Sequence, residues 1–367
     1  MSDLIDVPRG LNGVVAAETA ISDVNGEAGY YQYRGHSAVD LARARSFEDV
    51  WHLLVVGDLP DAAASVAFAE RIAASRTDPR MPELLAAVAN HTDQPLARLR
   101  AVWTLAASVR RSAALYDLGE EDRLGEAIAY AAMAPVALAG GGSASGGSVS
   151  GGGVVADYLE RVTGVAPDAA HERALSAYLI AAMDHGFNAS TFTARVIAST
   201  GADMASCLTG AVGALSGPLH GGAPARALDS LDRAGDDPAS WIAGELAAGR
   251  RLMGFGHAVY RTADPRSELL REVAQGLGGE RVAQALAFQD EAERQLAQHR
   301  PDRPLHANVE FSAAVVMEQC GIPRDLFTPT FALARTIGWT AHVLEQARDR
   351  KIIRPSARYV GPAVRAV

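Results

Sequence analysis

Most of the chain carries apolar residues at helical spacing, and only its N-terminal part departs from this pattern. There, a Val-, Ala- and Thr-rich stretch over Gly13–Ser22 precedes Asn25-Gly26, and a second extended stretch covers Tyr30–Arg34. Two extended stretches around an Asn-Gly turn predict a small β-hairpin. Everything after it is helical in character, so the fold is predicted to be mainly α.

Capping signals and Ala-rich composition locate the helices. Ser46 and Asp49 form a capping-box pattern, and Gly57 ends the helix that follows. Asp203–Leu215 predicts a helix that stops before a Gly-Pro pair. We further predict helices over Ala62–Ala74, Met81–Ala89, Leu96–Tyr116, Gly125–Ala139, Glu280–His299 and Leu326–Arg348.

A segment composed almost entirely of Gly, Ser and Ala covers Gly140–Gly153. Such composition is typical of a surface loop. A phosphate-cradling loop is the alternative, but the Lys-Ser/Thr pair that follows such loops is missing. We place no domain boundary there, because the helices on both sides look like parts of one body.

Composition and charge limit the classes of function. The 367 residues supply ample material for a core, and no apolar run reaches the ~20 residues that cross a bilayer. The N-terminus has no signal-peptide design, and the net charge of −9 argues against nucleic acid as the main partner. Cys207 and Cys320 are the only cysteines, which is no disulfide framework. We therefore expect a cytoplasmic protein with neither a membrane nor a nucleic-acid partner.

The most informative stretch for chemistry is Gly254–Arg266, where a histidine follows a glycine-rich turn and two arginines follow the histidine. Glycine lets the backbone approach a ligand closely. Asp264-Pro265 predicts a helix start, with Asp as N-cap and Pro at the first position. Arg266 then lies in the first turn, beside backbone N–H groups that favour an anion. We predict a ligand site that combines the His257 ring with arginines for an anion and a phosphate.

Other candidate residues admit two readings each. His185, His220 and His257 lie in glycine-flanked or polar settings, and an acid–base site is favoured over a metal site because no zinc-type spacing or cysteine cluster occurs. Glu310 either caps the apolar helix that follows it or acts as a general base with a pKa raised by burial. Arg335 lies at the edge of an apolar helix face, where it either reaches solvent or meets a buried anion.

Taken together, these motifs resemble the citrate synthase family. The matching segments cover nearly the whole chain in family order: Gly13–Thr19, Tyr33–Gly35, Asp184–Arg195, Gly217–Ala223, Gly254–Arg266, Asn308–Phe311, Ala334–Trp339 and Arg354-Pro355. The resemblance implies a mainly α, citrate synthase-like two-domain helical fold with a small N-terminal β-hairpin. Residues 1–221 and 332–367 would form the large domain and residues 222–331 the small one, with the active site between them. It also implies a homodimer whose C-terminal tail reaches the partner subunit.

The resemblance implies the citrate-forming reaction of the tricarboxylic acid cycle: acetyl-CoA condenses with oxaloacetate, and citryl-CoA is hydrolysed to citrate and CoA. The CoA thioester is then a substrate, and neither a permanent cofactor nor a metal is implied. Glu310 would deprotonate the thioester methyl, neutral His220 would hydrogen-bond the thioester oxygen, and His257 would polarise the ketone and supply the proton. The oxaloacetate carboxylates would be bound by His185, Arg266, Arg335 and, from the other subunit, Arg354. CoA would contact the backbone of Met253, Gly254, Phe255 and Gly256, and its phosphate would contact Arg261.

Some positions depart from the family pattern. Glu310 stands where Asp is usual, and a shift of about 1 Å in a reacting group can cost roughly a hundredfold in rate. Ser312-Ala313, Pro224 and Ser356 stand where Tyr-Ser, Asn and Arg are usual. Two alternatives stay open. A 2-methylcitrate synthase would use propionyl-CoA, since one methylene in an acyl pocket is worth only ~1–3 kcal/mol. A non-catalytic relative would bind CoA or keto acid without turnover.

Overall fold

The computed structural model describes residues 5–89, 91–140, 153–218, 220, 224–257, 259–302 and 305–364. Near the N-terminus, β1 (Ser22–Asn25) pairs antiparallel with β2 (Tyr30–Tyr33), which pairs antiparallel with β3 (His36–Ser37). The hairpin is therefore extended by a third short strand. Its first strand begins at Ser22, so the prediction of an extended strand from Gly13 is wrong; the chain before Ser22 has no strand partner among the described residues.

Sixteen α-helices account for most of the described residues, which confirms the mainly α fold. Their bounds are α1 Ala38–Ala44, α2 Phe47–Val56, α3 Ala62–Arg76, α4 Met81–Ala89, α5 Pro95–Arg110, α6 Glu120–Ala139, α7 Val154–Thr163, α8 Ala169–Ala182, α9 Ala189–Ser199, α10 Met204–Leu215, α11 Pro224–Ala234, α12 Pro238–Ala247, α13 Pro265–Leu277, α14 Glu280–His299, α15 Val309–Gln319 and α16 Phe327–Asp349. None of these helices is long and apolar enough to cross a lipid bilayer.

The predicted caps are present. The Ser46 hydroxyl accepts from the Asp49 N–H at 3.1 Å, and Gly57 ends α2 with a φ of 122°. Asp264 caps α13 with proline at its first position, as predicted. Asp203, which the prediction placed inside the helix, is the cap of α10. Local side-chain chemistry thus fixes these boundaries, as the sequence indicated.

Two predicted boundaries are wrong. Helix α5 ends at Arg110 because Arg111 adopts a left-handed φ of 54°, so the prediction of a helix to Tyr116 was too long. Helix α6 begins at Glu120 rather than Gly125, and three acidic residues in its first turn favour the helix N-terminus there. Of the predicted loop over Gly140–Gly153, residues 141–152 lie outside the described residues, as does the predicted domain boundary at 221–222.

The long helix α16 runs through the centre of the core. It packs against α2, α6, α8, α9 and α10, and its side chains are buried almost all round. A helix that is buried on every side can carry a polar group only where that group meets a partner. Arg335 on this helix is buried, which puts a guanidinium where α16 meets the end of α8.

Candidate active site

A single cavity of about 170 Å³ brings together six of the seven residues predicted for catalysis and substrate binding. It is lined by the three predicted catalytic side chains, by three of the four predicted substrate-binding side chains, and by further residues that sequence reasoning did not select. The lining residues are Tyr178, His185, Asn188, His220, His257, Arg266, Asn308, Val309, Glu310, Ala313, Phe331 and Arg335.

Backbone pairing holds the loop Met253–Gly256, here called the glycine loop, against the start of α15. The Gly256 N–H donates to the His306 carbonyl at 2.7 Å, and the Asn308 N–H donates to the Gly254 carbonyl at 2.9 Å. Gly254 has a φ of 85°, and a Cβ there would lie 2.9 Å from the Phe311 Cβ, so only glycine fits. The loop that carries His257 and the helix that carries Glu310 are therefore one packed unit.

The N-terminal hairpin contacts the same loop from the other side. The Arg261 N–H donates to the Gly26 carbonyl in the β1–β2 turn at 3.1 Å. A Cβ on Gly26 would collide with the Val259 carbonyl, and one on Gly29 would lie 2.7 Å from the Thr262 hydroxyl. The turn thus packs backbone to backbone against the residues that follow His257.

Hydrogen bonds assign the tautomer of His257. Its Nδ1 accepts from the backbone N–H groups of Val259 at 3.0 Å and Tyr260 at 3.2 Å. Because two backbone donors meet Nδ1, Nδ1 accepts and a neutral ring carries its proton on Nε2. Arg266 Nη2, 3.2 Å from Nε2 at the cavity, can only donate and is therefore not the hydrogen-bond partner of this proton. Burial, followed by the charge of Arg266, lowers the pKa of His257 to about 4. His257 is therefore a neutral donor at pH 7.

His220 has the opposite tautomer. Its Nε2 lies 3.3 Å from the Ser190 N–H and 2.9 Å from the Ser190 hydroxyl, which also accepts from the Trp339 indole at 3.1 Å. A backbone N–H can only donate, so Nε2 accepts and the ring proton lies on Nδ1. Burial, followed by the charge of Arg335, lowers the pKa of His220. A neutral ring with its proton on Nδ1 can donate a hydrogen bond from that nitrogen to a substrate oxygen.

Glu310 lies in the first turn of α15, but the cap of that helix is Asn308, whose side-chain oxygen accepts from the Glu310 N–H at 3.0 Å. The Glu310 carboxylate is therefore available to the cavity. Burial raises the pKa of Glu310 to about 6; the charge of Arg266 opposes the rise and that of Asp264 adds to it. The group is ionised at neutral pH and still basic, as a general base requires.

The cavity is electropositive. Arg266 and Arg335 are both buried, with relative exposures of 3% and 2%. Arg266 donates from Nε and Nη2 to the two Asp264 oxygens at 3.0 and 2.8 Å. Arg335 donates from Nε to the Ala182 carbonyl at 3.0 Å and pairs with no carboxylate among the described residues. Arg266 and Arg335 outnumber Glu310, the one carboxylate side chain that lines the cavity, so the lining favours an anionic ligand.

His185 lies directly after the buried Asp184, and its Nε2 is 2.9 Å from the Tyr260 hydroxyl. Burial and the charges of Arg266 and Arg335 lower the pKa of His185 well below its usual range. The ring is neutral, so it contributes hydrogen bonds to a bound anion rather than charge.

The structure does not bring every predicted residue to this cavity. Arg354 is exposed in the C-terminal tail and does not line it. Arg261 has a side chain 52% exposed and lines a small neighbouring recess with Gly256. Met253 and Gly254 lie in the glycine loop but line neither this cavity nor the larger one described in the next paragraph.

A second cavity, of about 540 Å³, shares His257 with the first. Phe255 and Gly256 form part of its wall, and it is also lined by Arg250, Arg251 and Arg300. The sequence reasoning did not select these three arginines, although the adjacent pair before the glycine loop is a readable signal of local positive charge. The cavity combines apolar walls with cations, which suits a large phosphorylated ligand.

The sequence reasoning also missed Tyr178, Asn188 and Ser190. Asn188 and Ser190 lie inside a matching motif and could have been found there as the N-cap and first turn of α9. Tyr178 lies in an apolar helix with no local signal. Among the described residues, no group of three or more His, Cys, Asp and Glu side chains could hold a metal ion.

The chain is similar to known proteins over nearly its whole length. The family model described as citrate synthase, C-terminal domain, matches residues 10–356. A Mycobacterium bovis protein provisionally named citrate synthase 2 is 41% identical over 363 residues, which cover 97% of this chain and 94% of that protein. A Shewanella oneidensis protein named 2-methylcitrate synthase is 34% identical over 364 residues, with coverages of 98% and 96%.

A solved structure has the same fold. It is a ternary complex of carboxymethyl coenzyme A and oxaloacetate with citrate synthase from Thermoplasma acidophilum. The TM-score is 0.86 at 26% identity, and the match covers 99% of this chain and 98% of that chain. The chain therefore belongs to the citrate synthase family and is an acyl-transferring enzyme.

Proposed function

We propose that the enzyme condenses acetyl-CoA with oxaloacetate and hydrolyses citryl-CoA to citrate and CoA. The observation that carries this proposal is the convergence of Glu310, His220 and His257 on one cavity that also contains two buried arginines. A base, two neutral donors of defined tautomer and an anion-binding wall are the groups that this reaction needs.

The first step is removal of a proton from the thioester methyl, which is a very weak acid. Glu310 takes the proton, and the electrons of the C–H bond form an enolate. The Nδ1–H of His220 donates to the enolate oxygen, where the new negative charge develops. A neutral imidazole serves here because its own acidity is closer to that of the enol than an imidazolium's would be.

In the second step the enolate carbon attacks the ketone carbon of oxaloacetate. The electrons of the C=O bond move to its oxygen, which receives a proton delivered from the Nε2–H of His257. This leaves His257 deprotonated and Glu310 protonated. Attack of water on the thioester of citryl-CoA then breaks the C–S bond: His257 recovers its proton from the attacking water, Glu310 gives its proton to the departing CoA thiolate, and the new carboxyl group ionises. His185, Arg266 and Arg335 bind the oxaloacetate carboxylates during these steps, because a guanidinium can pair with a carboxylate at two points.

We further propose a homodimer in which Arg354 of one subunit completes the oxaloacetate site of the other. The exposure of Arg354 supports this, because its side chain is accessible to a second subunit. Leu105 and Val109 are 37% and 54% exposed on α5, and the adjacent α10 has open space beside Gly213. Exposed apolar side chains one helical turn apart, with an open glycine on the neighbouring helix, are suited to packing between subunits.

CoA binding is assigned to the glycine loop and the larger cavity. The loop Met253–Gly256 would contact the adenine, and Arg261 a phosphate. Arg251 and Arg300 add positive charge around the larger cavity, and Arg250, which also lines it, pairs with Glu245. In a chain of net charge −9, a local group of arginines favours a phosphorylated ligand at this place.

We propose the two domains as residues 1–221 with 332–367, and residues 222–331. Each of α11 to α15 packs most extensively with another helix of that same group, which supports the division. An enolate must be kept from water, so the domains are proposed to close after oxaloacetate binds. Ordered binding follows, and equal acetyl-CoA affinity with and without oxaloacetate would contradict it.

A thiol-release assay with several acyl-CoAs and keto acids tests the proposal. We expect free thiol from acetyl-CoA only when oxaloacetate is present. The second candidate, 2-methylcitrate synthesis, is favoured by relatives that carry that name, and a higher kcat/KM for propionyl-CoA than for acetyl-CoA would establish it. Tight binding of both substrates without thiol release would instead support a non-catalytic relative.

A further inference from the structure

The carboxylate of Asp264 makes more contacts than its role as a helix cap requires. It is 2% exposed. Its Oδ1 accepts from the Arg266 backbone N–H and from Arg266 Nε, both at 3.0 Å. Its Oδ2 accepts from Arg266 Nη2 at 2.8 Å and from the Val309 N–H at 3.1 Å. Val309 is the first residue of α15 and directly precedes Glu310, so one carboxylate joins two helices.

We infer that Asp264 is a positioning residue that fixes the anion-binding Arg266 and the helix of the base Glu310 to each other. This inference rests on the proposed function. Asp264 does not contact the substrates in the proposed reaction. It acts through the two residues that it holds, by setting the distance between the bound keto acid and the base.

Helix capping alone does not explain this arrangement. Ser, Thr or Asn would cap α13 with a single oxygen. Helix α15 already has its own cap, because Asn308 accepts from the Glu310 N–H. The two-point pairing with the Arg266 guanidinium requires both oxygens of a carboxylate, and one of them still reaches the Val309 N–H. Only an acidic side chain of this length satisfies all four donors at once.

The charge of Asp264 also bears on the base. Arg266 lies beside Glu310 and favours its ionised, weakly basic form; Asp264 offsets that charge. Without Asp264, Arg266 would be unopposed and would have no fixed partner, so it could also pair directly with Glu310. The other titratable groups that face Glu310 or Asp264 are Tyr31, Tyr178, His185, His220, His257, Tyr260 and Arg335.

Asp264→Asn tests the inference in the full-length enzyme, because asparagine keeps the shape and removes the charge. With Asp264 neutral, the pKa of Glu310 falls. The apparent pKa below which kcat/KM for acetyl-CoA decreases at saturating oxaloacetate, here called the acid limb, should therefore move down by about half a pH unit or more. The loosened Arg266 raises the KM for oxaloacetate about tenfold. Asp232→Asn is the matched control: it removes a carboxylate that pairs with Arg281 and Arg324 away from the cavity, and both readouts should stay unchanged.

Val309→Pro is a second variant that keeps every charge and deletes the N–H held by Asp264. Because the Val309 side chain lines the cavity, Val309→Ala, which keeps the N–H, is the control for the change of side chain and should retain more of the kcat than Val309→Pro. Proline is tolerated at the first helical position, and Asn308 before it already has the extended backbone that proline requires. We expect a lower kcat than in the wild type, with no change in the apparent pKa of the acid limb of kcat/KM. This variant decides the question if Asp264→Asn does not fold, as judged by its circular dichroism.

The outcomes separate the two proposals. An unmoved acid limb and an unchanged oxaloacetate KM in Asp264→Asn overturn this inference while the proposed function stands. A wild-type kcat in Val309→Pro overturns the link between the two helices. Absence of thiol release by the wild-type enzyme removes the proposed function and this inference with it.

Discussion

Replacing Glu310 by glutamine is expected to stabilise the folded enzyme at pH 8 while it removes activity. Burial raises the pKa of Glu310 from its ordinary value of 4.5 to about 6. Each tenfold change in an acid dissociation constant corresponds to about 1.36 kcal/mol. At pH 8 the folded state must therefore hold an ionised carboxylate at a cost of about 2 kcal/mol relative to the unfolded chain.

One effect opposes this gain. A negative charge in the first turn of a helix contributes about 0.3–1 kcal/mol, and glutamine at 310 gives it up. The burial cost is larger, so we expect the free energy of unfolding to rise by about 1 kcal/mol or more. Because the pKa is raised on folding, the cost is complete only above pH 6 and disappears below about pH 4.5. At pH 5 it has fallen to about 0.8 kcal/mol.

Urea unfolding of the wild type and Glu310→Gln at pH 8 and pH 5 measures the effect. The protein concentration must be the same throughout, because the stability of a dimer depends on it. Glu83→Gln is the matched control, since Glu83 is in the first turn of α4 but exposed, and it should give no gain at either pH. A Glu310→Gln variant that is no more stable at pH 8 than the wild type would refute the burial argument. Thiol release should fall about 10²–10⁴-fold, and full activity would refute the role of Glu310 as base.

Three further substitutions test other parts of the site. His220→Asn should lower kcat about 10²–10³-fold with little change in KM, because the donor acts mainly on the developing oxyanion. Arg354→Ala should raise the oxaloacetate KM. Mixing the Arg354→Ala and His220→Asn variants should restore part of the activity if the two residues of one site come from different subunits. No recovery would count against the shared site. Gly338→Ala should lose about 1–3 kcal/mol of stability, because the new Cβ would collide with the Met183 carbonyl, whereas Gly244→Ala, where space is open, should not.

Much of the site could be predicted because its residues lie beside local signals of structure. The cap at Asp264 and proline at 265 fix where α13 begins, so the direction of Arg266 follows from sequence alone. The apolar stretch after Glu310 likewise fixes α15. The sequence left open whether Glu310 caps the helix or lines a cavity, and the hydrogen bond from its N–H to Asn308 decides for the cavity.

Other features depend on contacts between distant parts of the chain. The tautomer of His220 follows from the Ser190 N–H, which approaches it only because α9 and α10 pack together. Tyr178 faces the cavity from an otherwise apolar helix, and helical periodicity cannot single it out. The strand expected from Gly13 fails for the same reason: extended composition is not enough where no partner strand is present.

The contact of the hairpin turn with the loop after His257 makes the turn a place from which substrate binding can be observed. Glu27 at its tip has a side chain 86% exposed, and it lies 4.0 Å from Arg261, the residue assigned to a CoA phosphate. A phosphate bound by Arg261 would compete with this pairing. Both native cysteines are buried, so a single cysteine introduced at residue 27 would accept a fluorescent dye selectively. Its emission would then report CoA binding in real time, without chemistry having to occur.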